Sequence, residues 1–158
     1  MSLPHDTITQ EYVEIIAFLE KRDRVARVKD IADQRGVTRS SVSLALNQLA
    51  KKQLITHLNY GHVTLTSMGR RLAQNLTLRH RAIKELLTTV LGLEESIAEQ
   101  DACKFEHLIS AETFNALTRF LDVLHQCPKE QAQLLKKIHQ CVNSKSNNEN
   151  CEECPLNP

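Results

Sequence analysis

The sequence predicts a mainly α fold in which a small winged helix-turn-helix precedes an all-helical half. Three observations carry this. Apolar residues recur at spacings of three and four over most of the chain. Two short helical patterns are separated only by Gly36-Val37-Thr38, the spacing of a helix-turn-helix. Directly after them, residues 55–58 and 62–65 read as two strands around Asn59-Tyr60-Gly61, a turn-rich junction.

The first helix is expected to start near Thr7, with Gln10 three residues on as its capping-box partner. Its apolar positions are Ile8, Tyr12, Ile15, Ile16 and Leu19. A second helix spans Arg27 to Arg35, burying Val28, Ile31 and Ala32, and stops at Gly36, a residue suited to the left-handed cap. Thr38 caps a third helix that runs to about Lys52 and buries Val42, Ala45, Leu46 and Leu49. After the hairpin, Thr66 begins another helix. Beyond Arg79 a helical pattern continues through Ile83, Leu86, Leu87 and Val90 to Gly92. A further helix covers Ser96 to Ile109, and Ser110 caps a last one. There Phe114, Leu117, Leu121 and Leu124 form a stripe more apolar than a small domain needs, so it is expected to face a second copy across a two-fold axis, with an intramolecular core as the alternative. The polar run 143–150 reads as a mobile linker.

Composition narrows the class. The chain has 158 residues, 41% hydrophobic and without Trp, which suits one medium or two small soluble domains. Its apolar runs are far short of a membrane span and its start is polar, so no membrane association is expected and a cytoplasmic location is. In that compartment five irregularly spaced cysteines read as thiols or metal ligands and not as a disulfide framework. Residues 1–75 carry 11 Lys+Arg against 7 Asp+Glu, and residues 76–158 carry 9 against 12. A basic front half and an acidic back half suit a nucleic-acid reader joined to a regulatory half.

The chemistry follows the same division. With Val42 taken as the core direction, Arg39, Ser40, Ser43, Leu44, Asn47 and Lys51 lie on the opposite side of the third helix. They are short, polar or basic, as a surface entering a DNA groove requires, and Leu44 suits contact with a thymine methyl. In the back half Cys103, Glu106 and His107 stand at i, i+3 and i+4, so a thiolate, a carboxylate and an imidazole share one helix face. Glu11 and Glu14 are again i and i+3 on the first helix, and His80 lies on the connecting helix. If these helices meet, a first-row divalent ion finds ligands from separate units.

Asp30-Ile-Ala-Asp-Gln-Arg-Gly-Val37, Ser40-Ser-Val-Ser43, Val63-Thr-Leu-Thr-Ser-Met-Gly69, Arg79-His80-Arg81, Leu91-Gly-Leu93 and Glu106-His107-Leu-Ile-Ser110 together resemble the DtxR/MntR family. The resemblance runs from about Ile8 to Leu124. It implies dimeric, metal-activated repressors of iron or manganese uptake that bind double-stranded operator DNA. It also implies metal ligation by Glu11, Glu14, His80, Cys103, Glu106 and His107. Cys103 is similar to the iron-sensing branch, whereas Glu11 and Glu14 are similar to the manganese branch. One thiolate among oxygen and nitrogen donors favours Fe(II) before Mn(II). A second metal site of the iron branch falls here on Lys84 and Glu99, so a second ion held in that manner is not expected. The third, SH3-like domain of that branch is not expected either.

Cys127, Cys141, Cys151 and Cys154 form a separate group that includes one C-x-x-C. Four thiolates suit structural Zn(II) or an iron–sulfur cluster, and free thiols are the alternative. The expectation is thus a winged helix-turn-helix DNA-binding domain over 1–75, a helical metal-binding and dimerisation domain over 76–142, and a flexible Cys-containing tail over 143–158. Its function is expected to be that of a homodimeric repressor activated by Fe(II) or Mn(II), and not an enzyme, since H-E-x-x-H and other catalytic motifs are missing. The competing expectation is a winged-helix regulator that senses redox state or a small molecule through its cysteines.

Overall fold

The computed structural model describes residues 6–23, 25–58, 62–126 and 132–139. The elements, in order, are α1 (Thr7–Asp23), β1 (Ala26–Arg27), α2 (Val28–Arg35), α3 (Arg39–Lys51), β2 (Ile55–Leu58), β3 (His62–Leu65) and α4 (Ser67–Glu85). A π-helical turn (Leu86–Val90), α5 (Glu95–Leu108) and α6 (Ala111–Gln126) follow, and then a helix over 132–139, α7. The fold divides into two compact units, one reaching Leu78 and the other starting at Arg79, with the division inside α4.

The first unit is a winged helix. Tyr12, Val13, Ile16 and Leu19 of α1 pack on Ile31 of α2 and on Val42, Leu46 and Leu49 of α3. Each such side chain, fully buried, contributes roughly 1.5–3 kcal/mol. The sheet has the order β1-β3-β2, all antiparallel. Ala26 pairs with Val63, and Ile55 with Leu65. Val63 and Leu65 are buried while His62 and Thr64 are half-buried, the alternation a one-sided sheet imposes. The third strand, β1, was not expected from the sequence.

Two expectations for α1 are corrected. The cap is Asp6 and not Thr7: its Oδ1 accepts the Thr9 N–H at 2.9 Å and its Oδ2 accepts the Thr9 hydroxyl. With Asp6 as the cap, the third helical position falls on Thr9 and not on Gln10, which is buried and whose N–H donates to the Asp6 carbonyl. Ile8 is 60% exposed, and Val13, not among the expected positions, is fully buried in the core. Ala45 of α3 is half-buried, not buried. Asp6 also receives Lys52 Nζ at 2.8 Å, and this bond, more than the Thr9 N–H, holds its carboxyl far below the usual range. A carboxylate depressed in the fold adds stability above its unfolded pKa and loses it as pH falls. Asp6→Ala is expected to cost about 1 kcal/mol at neutral pH, with the deficit shrinking in acid; urea unfolding at two pH values measures it.

The second unit is helical. Ala98 and Ala102, at i and i+4 on α5, allow Ile83 and Leu87 to pack closely. On the other side of α4, Ala82 and Val90 pack with Leu121 and Leu124, flanked by Phe114 and Leu117. Leu121 and Leu124 of the apolar stripe are thus buried within the unit, while Phe114 and Leu117 stay half-buried beside them. Helical spacing reveals that a face is buried, not what buries it. The helical run beyond Arg79 is also not purely α: the Leu91 N–H reaches the Leu86 carbonyl, five residues back. Gly92 then takes φ +69°, and His139 of α7 packs over it and donates from Nε2 to the Val90 carbonyl at 3.1 Å.

Candidate metal centre and nucleic-acid interface

The nucleic-acid face is built by the turn between α2 and α3. Gly36 adopts φ 70°, ψ 33°, so its N–H and that of Val37 both return to the Ala32 carbonyl and close α2. Thr38 Oγ1 accepts the Ser41 N–H at 3.2 Å and starts α3. Val42, Leu46 and Leu49 then fix the rotation of α3 by their burial. Arg39, Ser40, Ser43, Leu44, Asn47 and Lys51 are all exposed on the other side. The Ser43 hydroxyl donates to the Arg39 carbonyl at 3.0 Å, so toward a further partner its oxygen can only accept. Leu44 is 69% exposed, an isopropyl group in the middle of an otherwise polar face.

The second unit holds a cluster centred on Glu106. This glutamate is 1% exposed. Its Oε2 lies 3.1 Å from His80 Nδ1 and its Oε1 3.4 Å from His107 Nε2. One carboxylate oxygen thus faces each imidazole, His80 coming from α4 and His107 from α5. The His107 side chain is 5% exposed. A buried carboxylate is costly unless positive charge compensates it. Two imidazoles and one carboxylate on a rigid helix pair are donors that suit a first-row divalent ion, so these residues fit such a metal.

The other proposed donors lie as follows. Cys103, one turn ahead of Glu106 on α5, is exposed. Glu11 sits on α1 in the first unit, ion-paired with Arg35, whose guanidinium also stacks over Tyr12 at 5.7 Å. Glu14, on the same helix, is half-buried. His80 has a further partner that spacing does not reveal: its Nε2 lies 3.1 Å from Glu99. Lys84 Nζ bridges Glu95 and Glu99, 2.9 Å from each. Chiefly the Lys84 bond, and then His80, holds the Glu99 carboxyl below its ordinary range. The cation beside Glu99 is therefore an ammonium of the chain itself. Cys127, Cys141, Cys151 and Cys154 lie outside the described residues.

Residues 66–135 match a family described as "Iron dependent repressor, metal binding and dimerisation domain". The transcriptional regulator MntR of Escherichia coli is 36% identical over 113 residues, 72% of either chain. The chain belongs to the DtxR/MntR family of metal-dependent transcriptional repressors. A second relative, the HTH-type transcriptional regulator MntR of Geobacillus kaustophilus, is 30% identical over 79% of this chain and 86% of its own. Among solved structures, the manganese regulator SloR is similar with a TM-score of 0.63 and 28% identity, covering 72% of this chain and 53% of that one. A manganese-dependent transcriptional repressor in complex with manganese gives 0.65 and 29%, covering 72% and 52%. The chain matches about half the length of these two solved proteins. Like its DtxR/MntR relatives it is a DNA-binding regulator and not an enzyme, and among the described residues no helix is long and apolar enough to cross a membrane.

Proposed function

We propose that the chain is a homodimeric, cytoplasmic repressor whose operator affinity is raised by Mn(II) or Fe(II), and that it controls metal homeostasis. The observation that carries this is the buried Glu106 carboxylate between His80 and His107 in a chain of this family. The manganese dependence in the names of its relatives and the nitrogen and oxygen donors at the cluster favour Mn(II). Cys103 and an α1 carboxylate complete the proposed ligand set. Glu11 or Glu14 is proposed as that carboxylate, Glu11 being ion-paired with Arg35. When bound, the ion supplies the positive charge that a buried carboxylate requires. His80 and His107 hold that carboxylate in place, and Lys84 keeps Glu99 occupied, so one regulatory ion per chain is proposed at this site.

With Leu121 and Leu124 buried inside the unit, a second copy needs apolar side chains that remain exposed. Phe105, Leu108, Phe120 and Val123 remain 42–73% exposed on α5 and α6 and are the proposed dimer contacts.

The test is operator affinity by fluorescence anisotropy in anaerobic solution with chelator, Mn(II), Fe(II) and an oxidant. Affinity is expected to rise at least about ten-fold with metal, a coupling of roughly 1.4 kcal/mol. Equal affinity of chelated and loaded protein overturns the proposal, and a response to oxidant alone supports redox sensing through the exposed Cys103 instead. On α3, Lys51→Ala is expected to weaken all sequences alike and to flatten the salt dependence by about one counterion. Leu44→Ala is expected to relax preference by roughly 1–3 kcal/mol at a single base pair.

The four tail cysteines are proposed as a separate thiolate site for Zn(II) or an iron–sulfur cluster. Deleting residues 145–158 is expected to lower bound metal per chain, read by elemental analysis, and to leave metal-activated operator binding intact.

A further inference from the structure

Arg79 is 2% exposed, and burial pushes its guanidinium below the usual arginine range. Among the described residues, its hydrogen-bond acceptors are main-chain carbonyls and not carboxylates. Its Nη1 donates to the Ile109 carbonyl at 2.7 Å and lies 3.4 Å from the Glu106 carbonyl. Its plane sits over the Phe114 ring at 5.0 Å. Among the described residues, Nε meets no acceptor. A buried arginine held this way is a poor investment in stability, because an apolar side chain of similar length would avoid the desolvation cost.

Its acceptors suggest another use. A helix leaves its last four carbonyls without partners, and a cation at that end satisfies them and opposes the helix dipole. The Glu106 and Ile109 carbonyls bracket the end of α5, which is the turn that carries Glu106 and His107. The next residue on α4, His80, meets the Glu106 carboxylate at 3.1 Å. Two consecutive residues of α4 therefore hold Glu106 at both ends, Arg79 by its main chain and His80 by its side chain.

We infer that Arg79 is a positioning residue for the metal centre: by gripping the last turn of α5 it sets where Glu106 and His107 present their donor atoms. This deepens the metal-centre proposal and rests on it. Partners one step removed from a metal typically change its affinity 10–100-fold when lost.

The test compares full-length wild type, Arg79→Met and Arg79→Lys. The readouts are Co(II) absorption, Mn(II) affinity and thermal unfolding of the chelated protein. Arg79→Met is expected to match or exceed the wild-type midpoint when chelated, to bind Mn(II) at least about ten-fold more weakly and to show an altered Co(II) spectrum. Arg79→Lys, which keeps a cation able to reach one carbonyl, is expected to recover part of the affinity. If Arg79→Met does not fold, the decision falls to Arg79→Lys, and a wild-type affinity and spectrum in that folded variant overturns the inference. A folded Arg79→Met with wild-type affinity and spectrum also overturns it. Failure of wild type itself to bind Mn(II) or Co(II) sinks the underlying metal-centre proposal, a different result.

Discussion

Glu106→Gln is expected to leave the protein folded and to remove its stabilisation by metal. The amide has the shape of the carboxylate but no charge, so it is a poor ligand. The amide can still accept from one imidazole with its oxygen and donate to the other with its N–H, so neither ring is left without a partner. Stability of the chelated protein is therefore expected to change by less than about 1 kcal/mol, far below the 3–5 kcal/mol of a broken buried pair with a permanent cation. At Mn(II) equal to 100 times the wild-type Kd, linkage gives the wild type about 2.7 kcal/mol. A variant that binds about 100-fold more weakly gains only about 0.4 kcal/mol at the same concentration. Unfolding with and without Mn(II) reads both numbers. A Gln variant stabilised as much as wild type would mean that Glu106 is not a ligand.

Gly69→Ala is expected to give the largest loss of stability in the winged-helix unit. A Cβ on Gly69 would fall 2.1 Å from the Leu54 carbonyl oxygen and 3.0 Å from Leu65 Cδ2. That carbonyl is pinned, since it accepts the Thr66 N–H at 3.0 Å, while Gly69 donates its own N–H to Thr66 Oγ1 at 3.1 Å. Room is found only by breaking the junction that seats the start of α4 against the strands. The expected cost is about 3 kcal/mol, at the upper end for overpacking. A denaturation midpoint that corresponds to less than about 0.5 kcal/mol of loss contradicts this account.

The elements with local chemistry were legible in the sequence. Gly36 and Thr38 announce the turn, Ser110 announces α6, and alternation in 62–65 announces β3, because each is decided by one or two residues and their immediate neighbours. What was not legible depends on distant partners. The two residues of β1 carry no periodicity and exist only because Val63 lies opposite Ala26. Asp6 outcompetes Thr7 as the cap partly because Lys52, far along the chain, is beside it. Spacing marked the Phe114 stripe as apolar but could not say that Leu121 and Leu124 pack inside their own unit. At the cluster, His80, Glu106 and His107 were found from spacing and resemblance. Glu99 entered only as a position unsuited to a second ion and Arg79 only within a motif, since a charged residue on a helix is ordinarily on the solvated side.

The π turn at Leu86–Val90 has a consequence for how this half of the chain tolerates change in length. Such a turn amounts to one residue spliced into an α-helix. Excising that residue would rotate everything after it by about 100° about the axis. Val90 would then leave the side where Leu121 and Leu124 wait, and its carbonyl would turn away from His139. Substitutions within the turn disturb packing locally, whereas a single deletion shifts the phase of the remaining sequence. A relative lacking that residue must restore the phase before α5 begins, by an insertion in the short link through Gly92, or else present a different face of α5 and different donors to any metal.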